Sequence, residues 1–256
     1  MKIAILGAGA FGTALGGILA EKGCDIDYYD SQIERERLAD VIADAKYVVL
    51  CVPSEAVPFV LPHLSKNQSL IVATKGILSD IPFSEFRDYM VLSGPGFAQD
   101  IKAHKKTLLT ATDSRIVDLF TTDYLQFDFT DDRRGVLMCG ALKNVYAILA
   151  GLKGLKRETA AWREFITDVT EEMEQILEAN GAEPSTVDLA CGIGDLKLTC
   201  GMPSRNYEYG IIIKKNSHYK PTNTVEGLTA IKRINRYEIT VPGKAKLLKE
   251  VLNAIK

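Results

Sequence analysis

The sequence predicts an α/β fold, a doubly wound sheet followed by a mainly α-helical C-terminal half. Three observations predict it. Short apolar runs alternate with helical patterns over residues 1–130, which implies parallel strands joined by crossover helices. A glycine-rich turn links the first apolar run to the first helix. From Asp131 onward the strand signal fades and helical periodicity takes over.

The first run, Lys2–Leu6, reads as a buried parallel strand and leads directly into Gly7-Ala-Gly9-Ala10-Phe11-Gly12. Beyond it Phe11, Ala14, Leu15, Ile18 and Leu19 follow the i, i+3, i+4, i+7, i+8 spacing of a core-facing helix. Between strand and helix each glycine has its own use. Gly7 permits the tight turn, Gly9 lets a pyrophosphate approach the backbone, and Gly12 lets helix and strand close on each other. The pyrophosphate would lie on N–H groups at the positive end of the helix. This is the fingerprint of a Rossmann-type dinucleotide-binding domain.

The second strand, Asp25–Tyr29, ends at Asp30, roughly 20 residues past the glycines, where an acidic residue meets the adenosine ribose. A carboxylate there accepts from the ribose hydroxyls and repels a 2′-phosphate, which favours NAD. Arg35 and Arg37 keep NADP open as the alternative. Tyr47–Val52, Leu70–Ala73, Met90–Leu92 and Leu108–Ala111 complete the strands. Pro53, Lys75, and Gly94, Gly96 and Ala98 follow the third, fourth and fifth of these strands. Open α/β sheets bind ligands beyond such carboxyl ends.

The helical half is placed at 131–256. Arg134–Leu152 reads as a helix. Arg157–Asn180 is a long amphipathic helix that Gly181 caps and Pro184 stops. Pro184–Cys200, Thr224–Asn235 and Pro242–Ile255 supply further helical segments. Lys143 stands in an otherwise apolar helix and must snorkel out, pair or be used. Burial beside another cation lowers a lysine pKa and makes it a competent acid and base. Arg205, between Ser204 and Asn206, offers a planar fork suited to phosphate, although alone the segment reads as a loop with a surface arginine.

The chain has 256 residues, a net charge of −2 and five cysteines. That charge makes no electrostatic case for nucleic acid or an anionic membrane surface. No apolar run approaches the roughly 20 residues of a membrane span, and the first strand begins too early for a signal peptide. The cysteines are odd in number and lack CxxC spacing, which reads as reduced thiols in a cytoplasmic protein. His63, His104 and His218 are far apart and suggest no metal site.

Gly140-Ala-Leu-Lys-Asn144, Gly192-Ile-Gly-Asp-Leu-Lys-Leu-Thr-Cys200, Ser204-Arg-Asn206 and Val225-Glu-Gly227, in that order, resemble the bacterial NAD(P)-dependent glycerol-3-phosphate dehydrogenases. The resemblance runs from Gly7 to about Pro242. It implies a Rossmann domain followed by a helical substrate domain. The implied reaction is reversible hydride transfer between NAD(P)H and dihydroxyacetone phosphate, giving sn-glycerol 3-phosphate for phospholipid synthesis. Lys143 is implied as the proton donor in reduction, Lys75 as the group polarising the carbonyl, and Asp195 as the partner of both. Asn144, Thr199, Ser204, Arg205, Asn206, Gly94 and Gly96 are implied on the substrate, together with Lys75, Lys143 and Asp195. Gly7, Gly9, Ala10, Phe11, Gly12, Asp30, Pro53, Lys75, Ala98, Arg205 and Glu226 are implied beside the cofactor. Members of the family are often dimeric.

Three departures stand out. Gly96 replaces a serine that reaches the substrate, which removes a hydroxyl but leaves the backbone N–H. Ala10-Phe11 stands where the family often has Ser-Trp. Only Ser31–Lys46 separate the second and third strands, so the adenosine end is abbreviated. Two alternatives follow. One is a related two-domain dehydrogenase acting on a 3-hydroxyacid or ketopantoate. The other is a non-catalytic nucleotide sensor, which would have no need of Lys75, Lys143, Asp195 and Arg205 together.

Overall fold

A computed structural model describes residues 1–32, 37–201 and 203–255. Arg35, one of the two arginines that keep NADP open, lies outside the described residues. The chain divides into two compact units. The first comprises Met1–Thr74 and Asp80–Arg133, and the second Lys75–Ser79 and Arg134–Lys256.

The first unit holds a seven-stranded sheet in the order β2-β1-β3-β4-β5-β6-β7. The strands are β1 (Lys2–Leu6), β2 (Asp25–Tyr29), β3 (Tyr47–Leu50), β4 (Ser69–Val72), β5 (Tyr89–Ser93), β6 (Thr107–Ala111) and β7 (Leu125–Phe129). The strand order reverses between β1 and β3, which places the glycine turn at a topological switch point. Pairing is parallel from β2 through β5 and between β6 and β7. Between β5 and β6 it is antiparallel, with Leu92 opposite Ala111. The sheet is therefore mostly parallel rather than uniformly so.

The strands expected from sequence stop at Leu108–Ala111 and omit β7, although Leu125, Phe127 and Phe129 alternate with Gln126 and Asp128 at the period of a strand with one polar face. That pattern suits the edge of the sheet, where β7 lies. Buried Ile3, Ile5, Val49, Ile71, Met90 and Leu92 form the sheet's part of the core.

Helix α1 (Ala10–Glu21) buries Leu15, Ile18 and Leu19 against it. No side chain caps its N-terminus, and its first turn holds no acidic residue. A missing cap costs about 1 kcal/mol, whereas each buried apolar side chain contributes about 1.5–3 kcal/mol. Packing therefore holds α1 in place and leaves its N-terminus open. The short helix α2 (Leu38–Ile42) lies between β2 and β3, and α3 (Val57–Val60), α4 (Ala98–Lys102) and α5 (Ser114–Phe120) complete the unit.

The second unit is helical: α6 (Arg133–Lys153), α7 (Ala160–Ala179), α8 (Asp195–Thr199), α9 (Arg205–Lys215), α10 (Glu226–Asn235) and α11 (Lys246–Ala254). Helix α6 is apolar nearly all round. It is the one described helix long and apolar enough to cross a membrane by composition, and 94% of its apolar window is buried inside the protein. It serves as a core helix. Pro184 opens a 3₁₀ turn, and Ala190–Gly194 then form a π-helical turn ahead of α8. From sequence alone, Pro184–Cys200 reads as one helical segment. The bulge arises at Gly192, where a side chain would collide with the Val187 carbonyl.

Buried Glu172 on α7 accepts from the Tyr146 hydroxyl at 2.7 Å and from the Leu247 and Leu248 N–H groups at 2.9 and 2.6 Å. One carboxylate thus ties α6 and α7 to the start of α11.

Candidate active site

In the first unit the nucleotide turn is made of backbone. Gly7 has φ +106°, its N–H donates to the Tyr29 carbonyl at 2.8 Å, and a side chain there would strike Cys51. A Cβ on Gly12 would lie 2.1 Å from the Gly7 carbonyl oxygen. A Cβ on Gly9 would meet nothing within 4 Å. Two glycines are therefore required by the fold, while the third leaves open space beside an uncapped helix N-terminus. That is the shape and polarity a pyrophosphate needs. A dinucleotide fits the turn.

The other residues of this unit are placed as follows. Asp30 stands just past β2 and accepts from the Gln32 N–H at 3.0 Å. Pro53 follows β3 at the head of a 3₁₀ turn, and Ala98 opens α4. Gly94 and Gly96 lie in the loop after β5. The Gly96 N–H, which the sequence reading leaves for the substrate, donates to the Gly94 carbonyl at 2.8 Å. A Cβ on Gly96 would meet Leu109 at 3.1 Å and Phe11 at 3.4 Å. The two departures at positions 96 and 11 therefore share one crowded corner. The Thr74 hydroxyl donates to the Leu50 and Val52 carbonyls and pins the ends of β3 and β4 together; nothing in its spacing signals this.

In the second unit the site is made of side chains. Asp195, 1% exposed, receives Lys143 Nζ on Oδ1 at 2.9 Å and Lys75 Nζ on Oδ2 at 2.8 Å. Lys143 also donates to the Thr199 hydroxyl at 3.1 Å, and that hydroxyl donates to the Asp195 carbonyl at 2.7 Å. The π-helical turn delivers Asp195 to the start of α8, and α8 sets Thr199 one turn on. Such turns recur at functional sites.

Lys75 precedes Gly76, whose carbonyl accepts from Arg233 of α10 at 3.2 Å. Arg233 thus ties α10 to the backbone beside Lys75, a contact that no sequence motif announces.

The electrostatics follow from burial. Burial, helped by the Lys75 charge, pushes the Lys143 ammonium down to about 8 against the opposing pull of Asp195. Burial alone would raise the Asp195 carboxyl, but the two ammonium groups outweigh it and hold the group below its usual range. The Cys200 thiol beside them is pushed well up by burial and stays protonated. Two cations against one buried carboxylate leave a positive cluster, suited to an oxygen that gains negative charge.

Asn144 and Asn206 are buried and paired, Asn206 Nδ2 donating to Asn144 Oδ1 at 2.8 Å. Asn206 Oδ1 accepts from the Gly227 N–H at 2.9 Å, and Asn144 Nδ2 donates to the Gly140 carbonyl at 3.1 Å. These side chains join α6, α9 and the first turn of α10, where Glu226 is the first residue. Gly227 is small because a Cβ would stand 2.6 Å from the Asn144 carbonyl.

Ser204 is the N-cap of α9, its hydroxyl accepting from the Tyr207 N–H at 3.2 Å. The segment read alone as a loop is thus a helix start. Arg205 is exposed and donates one N–H to the Thr224 carbonyl at 3.3 Å. Among the described residues no group of His, Cys, Asp and Glu could hold a metal ion.

Known proteins resemble this chain closely. A family model described as NAD-dependent glycerol-3-phosphate dehydrogenase C-terminus matches residues 132–255. The glycerol-3-phosphate dehydrogenase (NAD(P)+) of Citrifermentans bemidjiense is 36% identical over an aligned length of 262, covering 83% of this chain and 78% of its own. The Geobacter sp. (strain M21) protein of the same name is 33% identical with the same coverage. The crystal structure of glycerol-3-phosphate dehydrogenase from Coxiella burnetii superposes with a TM-score of 0.81 at 24% identity. It covers 99% of this chain and 94% of that one, a likeness of fold.

Proposed function

Because the chain belongs to the NAD(P)-dependent glycerol-3-phosphate dehydrogenases, we propose that its two units divide the work of that reaction. The chain is an oxidoreductase that interconverts dihydroxyacetone phosphate and sn-glycerol 3-phosphate with a nicotinamide cofactor. Gly7, Gly9 and Gly12 hold the pyrophosphate, and Asp30 takes the ribose hydroxyls and favours NAD over NADP. Ala10, Phe11, Pro53, Lys75, Ala98, Arg205 and Glu226 line the rest of the cofactor. When bound, the nicotinamide supplies the hydride that reaches the ketone carbon.

The chain's own residues then handle charge and proton. Lys75 and Lys143 attract the ketone oxygen and stabilise the alkoxide as it forms. Lys143 gives that oxygen its proton, and in the reverse direction it takes the proton from the alcohol. A lysine near 8 suits both directions, since its ammonium and amine are both populated close to neutrality. Asp195 keeps Lys143 from losing its proton too readily and fixes both ammonium groups. Thr199 orients Lys143 from the other side. Arg205 takes the phosphate, having spent one of its five N–H donors on Thr224.

Gly94, Gly96, Asn144, Ser204 and Asn206 shape the substrate's surroundings. The Gly96 N–H and the Ser204 hydroxyl hold protein partners and fix the backbone, whereas Asn144 and Asn206 each spend one of two Nδ2 N–H donors on the protein and offer the other to the substrate. The product serves glycerophospholipid assembly in the cytoplasm, in keeping with five free thiols. A homodimer belongs to this proposal on the family resemblance alone.

The observation that carries the proposal is the buried Lys143–Asp195–Lys75 cluster. The test is cofactor consumption with dihydroxyacetone phosphate, with unphosphorylated dihydroxyacetone, and with ketopantoate, each with NADH and NADPH. The proposal expects turnover that depends on the phosphate and prefers NADH. Turnover of ketopantoate, or cofactor binding without turnover, would replace it with one of the two alternatives.

A further inference from the structure

Behind the catalytic cluster the second unit holds a cleft of about 300 Å³ between α7 and the turn entering α8. Small-ligand sites span roughly 300–1,000 Å³. The cleft and the cluster share one stretch of backbone. Ile193 and Lys197 line the cleft, while Asp195 between them gives its carboxylate to Lys75 and Lys143. Trp162 also lines the cleft, and its indole N–H donates to the carbonyl of Cys200, the residue after Thr199. The walls of the cleft therefore grip both ends of the segment that positions Asp195 and Thr199.

The lining has a definite chemistry. Trp162 and Ile166 are buried and Ile193 is half-buried, which makes an apolar floor. Arg163 and Lys197 stand against one carboxylate, Glu171, so the lining carries net positive charge. Arg163 shares the exposed Glu158 at 3.4 Å. Lys197 is exposed and forms no ion pair with any described residue. The proposed reaction uses neither cation.

We propose that this cleft is an effector site for a small amphipathic anion. Its apolar chain would rest on Trp162, Ile166 and Ile193, its acidic head would pair with Lys197 and Arg163, and its occupancy would change turnover through Asp195. Binding stands apart from the proposed reaction; only the effect on turnover rests on it.

Trp162 is the single tryptophan of the chain, so its fluorescence reports the cleft directly. Octanoate, octanol and octylamine present one apolar chain with a negative, neutral or positive head. Octanoate should shift the emission saturably and bind about fivefold or more tightly than the other two. Lys197→Glu should weaken octanoate by a similar factor while leaving basal turnover within about twofold, since Lys197 is exposed and bonded to no described residue of the cluster. Saturating octanoate should change wild-type kcat, and Lys197→Glu should blunt that response.

Equal binding of octylamine, or octanoate binding unaffected by Lys197→Glu, would overturn the proposal. So would an emission shift that tracks protein concentration instead of octanoate, because it would seat a second copy of the chain in the cleft. Octanoate binding without any change in kcat would overturn the effector role. A chain with no dehydrogenase activity that still binds octanoate through Lys197 would remove the proposed reaction and keep the site.

Discussion

The nucleotide turn of the first unit and the lysine–aspartate cluster of the second differ in what they are made of. The turn is backbone, shaped by side chains that are missing: Gly7 and Gly12 let chain segments touch, and Gly9 leaves space. The cluster is three charged side chains, with Lys75 and Asp195 lying 120 residues apart in sequence and Lys143 and Asp195 lying 52 apart. A backbone site is local and fails by steric collision. A side-chain site is assembled by the fold and fails by loss of charge. Substitutions in the two regions should therefore leave different signatures.

Lys143→Ala should show the largest effect, lowering kcat about 100- to 10,000-fold, the usual contribution of a general acid or base. NADH affinity should stay within about twofold, because the lost group acts on the reacting oxygen. Fluorescence titration with NADH checks this, and a parallel loss of binding would make Lys143 structural.

Gly9→Ala and Gly12→Ala sharpen the contrast inside the turn. Gly12→Ala forces a Cβ to within 2.1 Å of a carbonyl, and such overpacking costs about 1–3 kcal/mol. Gly9→Ala should keep its stability within a few tenths to about 1 kcal/mol, as Gly-to-Ala cap changes do, and should lose NADH affinity by about tenfold. Thermal unfolding alongside NADH titration separates the two. Equal destabilisation by both would show that Gly9 serves the fold and not the ligand.

Asp195→Asn removes the carboxylate that opposes the effect of burial on Lys143. The Lys143 pKa should fall below its present value of about 8, by about one unit or more. The pH midpoint of turnover should move down with it. A midpoint that stays in place would mean another group titrates.

Glu172→Gln tests a buried carboxylate of the same unit that takes no part in the chemistry. Losing charge-assisted bonds to Tyr146 and the first turn of α11 should cost about 1–3 kcal/mol in chemical denaturation. The pH midpoint should not move. A shifted midpoint would couple Glu172 to the cluster.

The two regions also differ in how far the sequence discloses them. The turn is legible because strand, glycine spacing and helix lie within one short stretch, and steric rules act locally. Lys143 is conspicuous as a charge in an apolar helix, but only the resemblance connects it with Lys75 and Asp195. Some features left no local signal. Strand β7 is a short edge strand whose alternation spans only Leu125–Phe129. The Ser204 cap is a three-residue signal without a clear apolar stripe after it. The Gly96 N–H is spent on the Gly94 carbonyl, a turn that residue types alone do not announce. Arg233 meets Gly76 across 157 residues, which no spacing rule anticipates.

The most direct test of the account is the pH dependence of kcat/KM in both directions, in the wild type and in Lys143→Ala. The reduction needs the Lys143 ammonium, so its rate should fall as pH rises through about 8. The oxidation needs the free amine, so its rate should rise through the same midpoint, and both transitions should vanish in the variant. Midpoints that differ between directions, or that survive in Lys143→Ala, would contradict Lys143 as the acid and base of this enzyme.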